Sequence, residues 1–241
     1  MQRRTFFLAT AGAVSAKRSA FAGYSANDTI RIAVLGVNGR GKNHIAGFQR
    51  LRNVQVAVLC DPDRNVLNER AAQFEKAHGK PVRMESDLRR VLDDKTINAV
   101  SIATPNHWHA LATIWACQAG KDVYVEKPGS HNIFEGRKMV EAAAKYNRIV
   151  QHGVQLRSSP AVQEAVQKMR QGVIGKVYMA RALIYRWRGS IGHRSNEPTP
   201  SHLDYNLWLG PAAERPFSRR YVHYNWHWHW DFGNGDVGNQ G

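Results

Sequence analysis

A rhythm constrains this chain more than any single residue. From residue 29 onward, short β-branched apolar runs alternate with segments of helical spacing. "TIRIAVLG", "VQVAVLC", "INAVSIAT", "DVYVEK" and "IVQHGV" read as strands. "GRGKNHIAGFQRL", "DPDRNVLNERAAQFEKAHG", "HWHALATIWACQAG" and "NIFEGRKMVEAAAKYN" read as the helices between them. Nearly continuous apolar strands are buried on both faces, which is the mark of a parallel sheet. Alternation at this spacing predicts right-handed βαβ units, hence an α/β fold with a Rossmann-type doubly wound parallel sheet. The stretch around Val82 to Met84 reads as a short additional strand.

The rhythm changes near residues 153–158. This separates a dinucleotide-binding domain over 29–155 from a second region over 156–241, read as the incomplete start of an α+β open-sheet domain. "PAVQEAVQKMRQG" has helical spacing, whereas "KVYMARALIYRW" alternates and predicts a long strand with one packed face.

The opening 1–26 has a different character. Two arginines precede a modestly apolar stretch, followed by Ala20-Phe21-Ala22, the layout of a secretory signal. Arg3-Arg4-Thr5-Phe6-Phe7-Leu8 resembles the twin-arginine type, which makes the export machinery a partner and the periplasm the expected location. A basic tail is the alternative. The formal charge is +15, and removing residues 1–22 leaves +11. The cations are scattered among acids, so a diffuse basic surface is expected rather than a nucleic-acid partner. No apolar run reaches the roughly 20 residues of a membrane span. Cys60 and Cys117 lie in apolar runs without metal-ligand spacing, so both read as buried thiols and no metal is expected.

The first strand runs into "GVNGRG". The glycine fingerprint of dinucleotide turns is G-x-G-x-x-G, opening a helix. Gly36 and Gly41 match its ends, Asn38 takes the middle place, and Gly39 and Arg40 complete the turn. Asparagine tolerates unusual backbone angles, so Asn38 is compatible with the turn. The second strand ends at Asp61. A carboxylate there accepts from ribose hydroxyls and repels a 2′-phosphate, which favours NAD over NADP. Arg64 keeps NADP open, and Asp61 has a second reading as a helix N-cap before Pro62.

"ATPNHWH" follows the third clear strand and "VEKP" ends the fourth, so both face the same crevice. Together with "VLGVNGRG", "CDPD" and the later "GNGDVGNQG", they resemble the Gfo/Idh/MocA oxidoreductases, the group of glucose–fructose oxidoreductase and inositol dehydrogenase. The resemblance implies that Lys127 is the catalytic lysine, that the bond before Pro128 is cis, and that Glu126, Thr104, Asn106 and His109 contact the cofactor. Gln155 would reach the nicotinamide side. Asn106 also reads as an N-cap, and Glu126-Lys127 also as a surface turn. The implied activity is NAD(P)-dependent hydride transfer at a hydroxyl of a sugar, polyol or related compound, by a homo-oligomer when full length. Alternatives are a glycoside hydrolase using bound NAD and a non-catalytic dinucleotide-binding protein.

In "NWHWHWDF" the alternation predicts a strand with Trp226, Trp228 and Trp230 on one face and His227 and His229 on the other. Core packing and sugar stacking both fit such a face. By the same resemblance, "GNGDVGNQG" leads toward a catalytic histidine. Asn239 stands where the family carries an acid, and the histidine would lie beyond Gly241. The expectation is therefore a C-terminally truncated chain that binds cofactor and turns over poorly.

Overall fold

The computed structural model describes residues 29–183, 185 and 187–240; the signal-like segment lies outside them. Six parallel strands form one sheet: β1 (Ile30–Leu35), β2 (Val54–Cys60), β3 (Arg83–Glu85), β4 (Ala99–Ile102), β5 (Asp122–Glu126) and β6 (Val150–Gly153). Their order is β3-β2-β1-β4-β5-β6. The five predicted strands and the short extra one all appear. β1 and β2 end in unbroken buried runs because helices cover both sheet faces. One apolar layer gathers Leu35, Val100, Ile102 and Val125 against Ala112 and Cys117; the other gathers Val34, Leu59, Leu67 and Phe74. The order reverses between β1 and β4, which opens a crevice at the carboxyl ends of those strands.

The helices that frame the crevice are α1 (Gly41–Phe48), α2 (Arg64–His78), α3 (Leu88–Asp93), α4 (Asn106–Gln118) and α5 (Ile133–Lys145). Helix α2 starts where the Asp63 side chain accepts from the N–H groups of Asn65 and Val66, and it stops at Gly79 in the left-handed region. Asp63, not Asp61, is thus the cap. At α4 the Asn106 side chain caps nothing, because Pro105 holds the cap position.

Beyond β6 come α6 (Pro160–Arg170), α7 (Tyr205–Leu209) and α8 (Gly235–Gln240). Two sequence expectations fail here. The described residues of 176–187 form no strand, and Tyr178, Leu183 and Trp187 are exposed. A strand needs a ladder partner, and none lies beside this segment among the described residues. "NWHWHWDF" is not a strand either: Asn225–Trp228 is one 3-10 turn. The turn removes the two-residue period, so Trp226 packs on a small aromatic core while Trp230 points to solvent.

That small core, built from Leu203, Tyr205, Trp208, Phe217, Tyr221 and Phe232, docks on the start of α4. Trp108 Nε1 donates to the carbonyls of Leu207 and Trp208 (both 3.1 Å), and the His107 N–H donates to Phe232 O (3.2 Å). His107 Nε2 donates to Trp208 O (3.1 Å), and Nδ1 is buried without a partner among the described residues. Protonating Nδ1 would bury an unpaired N–H. Burial accordingly pushes the His107 pKa from 6.5 down to about 4. An imidazole depressed in this way stabilises the fold fully above pH 6.5 and loses that contribution as pH falls toward 4, about 3 kcal/mol in all. Melting temperatures of wild type and His107→Gln across pH 4–7 check this. Wild type loses more on acidification, and equal losses would clear His107 of the role.

Candidate functional site

At the carboxyl ends of β1, β2, β4 and β5 lies a cavity of about 460 Å³. Its wall includes Gly36, Asn38, Gly39, Arg40 and Asp61 at one end, and Thr104, Asn106, His109, Glu126 and Lys127 along the other. The structure therefore brings together the predicted catalytic lysine and every predicted cofactor contact except Gly41, which packs against Gly36, and Gln155, which donates to Glu126.

The glycine turn is tight. Gly36 has φ +79°, and a Cβ there would meet Ala103 and Thr104 backbone at 2.8 Å. A Cβ on Gly41 would lie 1.9 Å from Gly36 O. Gly39 faces open space. Asn38 does not adopt a positive φ, so the turn needs left-handed backbone only at Gly36, and the tolerance expected of asparagine goes unused. Helix α1 follows with no acid in its first turn and no side-chain cap, which leaves its dipole free for an anion.

Asp61 is 7% exposed. Its Oδ2 accepts the Val37 N–H (2.9 Å) and its Oδ1 the Asp63 N–H (3.1 Å). Burial raises its pKa, while these two N–H donors and the nearby His223 oppose the rise. Each oxygen keeps a lone pair for a hydroxyl donor. Arg64 turns away: its Nη2 donates to Ser201 O (3.1 Å), outside this cavity.

Thr104 Oγ1 is buried without a partner among the described residues, and Asn106 Nδ2 donates to Asn234 Oδ1 (2.8 Å). His109, fully enclosed, links two loops: its Nδ1 is 2.7 Å from Pro128 O and its Nε2 2.9 Å from Thr104 O. Burial lowers its pKa.

Glu126 collects donors. Oε1 accepts from Arg40 Nε (2.8 Å), His44 Nε2 (3.1 Å) and the Gln155 amide, and Oε2 accepts the Lys127 N–H (3.0 Å). Burial alone would raise its pKa. The bonds from His44 and Arg40 outweigh burial and hold the carboxyl at about 2. The next peptide, Lys127–Pro128, is cis. Lys127 Nζ donates to Asn239 O (2.8 Å) and Oδ1 (2.6 Å). Burial lowers its pKa, Glu126 opposes that, and Arg40 adds to it.

His44, the hub between Glu126 and Ser101, was not singled out from the sequence. The available signal was one polar residue on the face of this helix that also carries Gly41 and Ile45. His202 and His223 were also missed; they bracket Asp63 at 3.1 and 2.8 Å. No sequence spacing joins residues 139 and 160 positions apart. Among the described residues no group of His, Cys, Asp or Glu is arranged to hold a metal, and no helix is long and apolar enough to cross a membrane.

An orphaned hydroxyl, a turn closed by Gly36 and Gly41, neither of which has room for a Cβ, and an uncapped helix start converge on one cavity. They fit a dinucleotide. Comparison with known proteins agrees. Residues 30–154 match the Gfo/Idh/MocA model described as "Oxidoreductase family, NAD-binding Rossmann fold", and residues 161–241 match its "C-terminal alpha/beta domain". A levoglucosan dehydrogenase from Pseudarthrobacter phenanthrenivorans is 29% identical over 155 residues, 63% of this chain and 40% of that protein. A glycosyl hydrolase family 109 protein from Shewanella pealeana is 28% identical over 160 residues, 64% of this chain and 35% of that protein. The solved WlbA dehydrogenase from Bordetella pertussis, in complex with NADH and UDP-GlcNAcA, is similar at a TM-score of 0.54 and 28% identity, covering 62% of this chain and 44% of that one. The matches thus span well under half of each of these proteins.

Proposed function

The chain belongs to the Gfo/Idh/MocA oxidoreductase family, and from that premise we propose that it oxidises or reduces a hydroxyl of a sugar, polyol or related compound with NAD. The observation that carries this reading is Lys127, an ammonium at the end of β5 that lines the same cavity as the glycine turn and Asp61. Asp61 would hold the adenosine ribose, the turn from Gly36 to Gly41 the pyrophosphate, and Thr104 Oγ1 the part of the cofactor nearest β4. A nicotinamide cofactor supplies hydride acceptance or donation when bound. The chain's own part is electrostatic. Two of the three Lys127 N–H groups are occupied by Asn239. The third is available to the substrate oxygen, and the positive charge steadies the alkoxide character that develops there. His109 fills the space between the Pro128 and Thr104 carbonyls, and its one N–H to either of them anchors the loop beside Lys127.

Two relatives set the competing outcomes. One is named a levoglucosan dehydrogenase and another a glycosyl hydrolase family 109 protein. A dehydrogenase produces NADH in proportion to substrate, whereas a hydrolase with bound NAD releases sugar and no net NADH. The test is a panel of levoglucosan, free polyols and nitrophenyl glycosides with NAD or NADP, read by absorbance of the reduced cofactor. Reduced cofactor from at least one free hydroxyl compound supports the proposal; release of nitrophenol without it overturns it. Asp61→Ser should narrow the preference for NAD over NADP by about tenfold, since one lost carboxylate bond and one removed repulsion amount to that order. The preference for NAD, export through the twin-arginine route on the strength of Arg3 to Leu8, and a periplasmic location belong to the same proposal.

A further inference from the structure

The phosphate turn and the catalytic loop are physically joined by one buried side chain. His44 sits in the first turn of α1 and is 7% exposed. Its Nδ1 lies 2.7 Å from the Oγ of Ser101 on β4, and its Nε2 3.1 Å from Glu126 Oε1 at the end of β5. Tyr124 and Phe48 stand edge-on to the ring at 5.3 and 6.4 Å and restrict its rotation. Glu126 is ionised at neutral pH and only accepts, so His44 Nε2 carries the proton of that bond. Glu126 Oε2 in turn holds the backbone N–H of Lys127.

Glu126 also accepts from Arg40, a cation, and Arg40 is different in kind from His44. Its side chain is 47% exposed, and it belongs to the turn that would face a pyrophosphate. A pyrophosphate, with its two negative charges, competes with the Glu126 carboxylate for the guanidinium. His44 cannot follow, because it is enclosed. We propose that His44 is a positioning residue that keeps Glu126, and through it the Lys127 backbone, in register when Arg40 turns to the cofactor phosphates. This rests on the dinucleotide reading of the cavity above. It assigns a coupling between phosphate binding and lysine placement that neither motif shows alone.

The test uses the whole chain with NADH as the probe, and three variants. His44→Leu removes both bonds. His44→Gln keeps an N–H at the distance of Nε2, and His44→Asn keeps one only at the distance of Nδ1. The first readout is NADH affinity, by fluorescence. The second is the pH midpoint of Lys127 acylation, followed by peptide mass spectrometry with NADH bound. The third is turnover on the best substrate of the panel.

Leu and Asn should leave NADH affinity within about threefold and lower kcat by roughly a hundredfold with KM little changed, as a small misplacement of a catalytic group does. They should also move the Lys127 midpoint down by about half a unit, because Glu126 no longer sits squarely beside it. Gln should restore both. If His44→Leu does not fold, the Gln and Asn pair still decides the matter, since equal behaviour of the two overturns the inference. Tight NADH binding with an unmoved Lys127 midpoint and unmoved kcat overturns this inference and leaves the proposed function standing. No NADH binding by the wild type overturns both.

Discussion

Lys127→Ala should leave NADH binding within about threefold and lower turnover by roughly 10²–10³, the loss expected when one donor to a developing oxyanion is removed. The reason lies in what surrounds the amine. Lys127 follows directly on the buried β5 run Val123 and Val125, and its N–H is pinned by Glu126. Its Nζ is not a surface charge, because Asn239 takes two of its three hydrogens. An arginine cannot substitute: its planar fork is wider and would have to displace Asn239, so Lys127→Arg should recover little. The pH dependence has a defined sign. The ammonium form is the one that steadies an alkoxide, so activity falls as pH rises through the Lys127 pKa. Burial, the largest influence, and Arg40 both lower that pKa, so the alkaline limb falls below the ordinary lysine value of 10.5. Unchanged turnover in Lys127→Ala, or an alkaline limb at or above 10.5 in wild type, would remove the lysine from the chemistry.

The sheet and the main crevice residues were legible in the sequence because both depend on local pattern. Apolar runs such as "RIAVLG" and "VAVLC" declare buried parallel strands, and a fold of that kind fixes where their carboxyl ends point. Gly36 and Asp61 follow from the strand ends, whereas the roles of Thr104 and Lys127 rest on the family resemblance of the motifs that leave those ends. What escaped is what depends on distant partners. Asp61 was ambiguous as a cap until Asp63 was seen to fill that role with His202 and His223 around it. Asn106 looked like a cap, yet its amide is spent on Asn234. The segment from Lys176 to Trp187 alternates like a strand, but alternation states a preference and pairing decides it. In "NWHWHWDF" the period of two was overridden by the aromatic core it serves, where Phe232 is fully buried and Trp230 is not. His44 was hidden because its partners, Ser101 and Glu126, are 57 and 82 residues away.

Gly41→Ala should be the most damaging single methyl in the chain. In an ordinary helix this exchange is favourable by up to about 1 kcal/mol, since alanine is the better helix former. Gly41 also has no positive φ, so strain in its own backbone is not the obstacle. The obstacle is the carbonyl of Gly36, 1.9 Å from where the methyl would sit, with the Gly36 carbonyl carbon at 3.0 Å. Both are backbone, so no rotamer change relieves the contact, and the turn itself must open. Opening it displaces Val37, whose N–H holds Asp61. Overpacking of this kind costs about 1–3 kcal/mol, which in a chain of this length lowers the melting temperature by roughly 3–10 °C. NADH affinity falls with it, because the pyrophosphate turn and the ribose acid move together. Gly39→Ala separates fold from ligand. Nothing lies within 4 Å of that methyl, and Gly39 lines the cavity. It should therefore melt like wild type and still lose NADH affinity by about tenfold, the cost of a methyl forced between a phosphate and the backbone that cradles it. A Gly41→Ala chain that melts and binds like wild type would show that the turn is not closed as described. A Gly39→Ala chain that binds NADH unchanged would show that the pyrophosphate lies elsewhere.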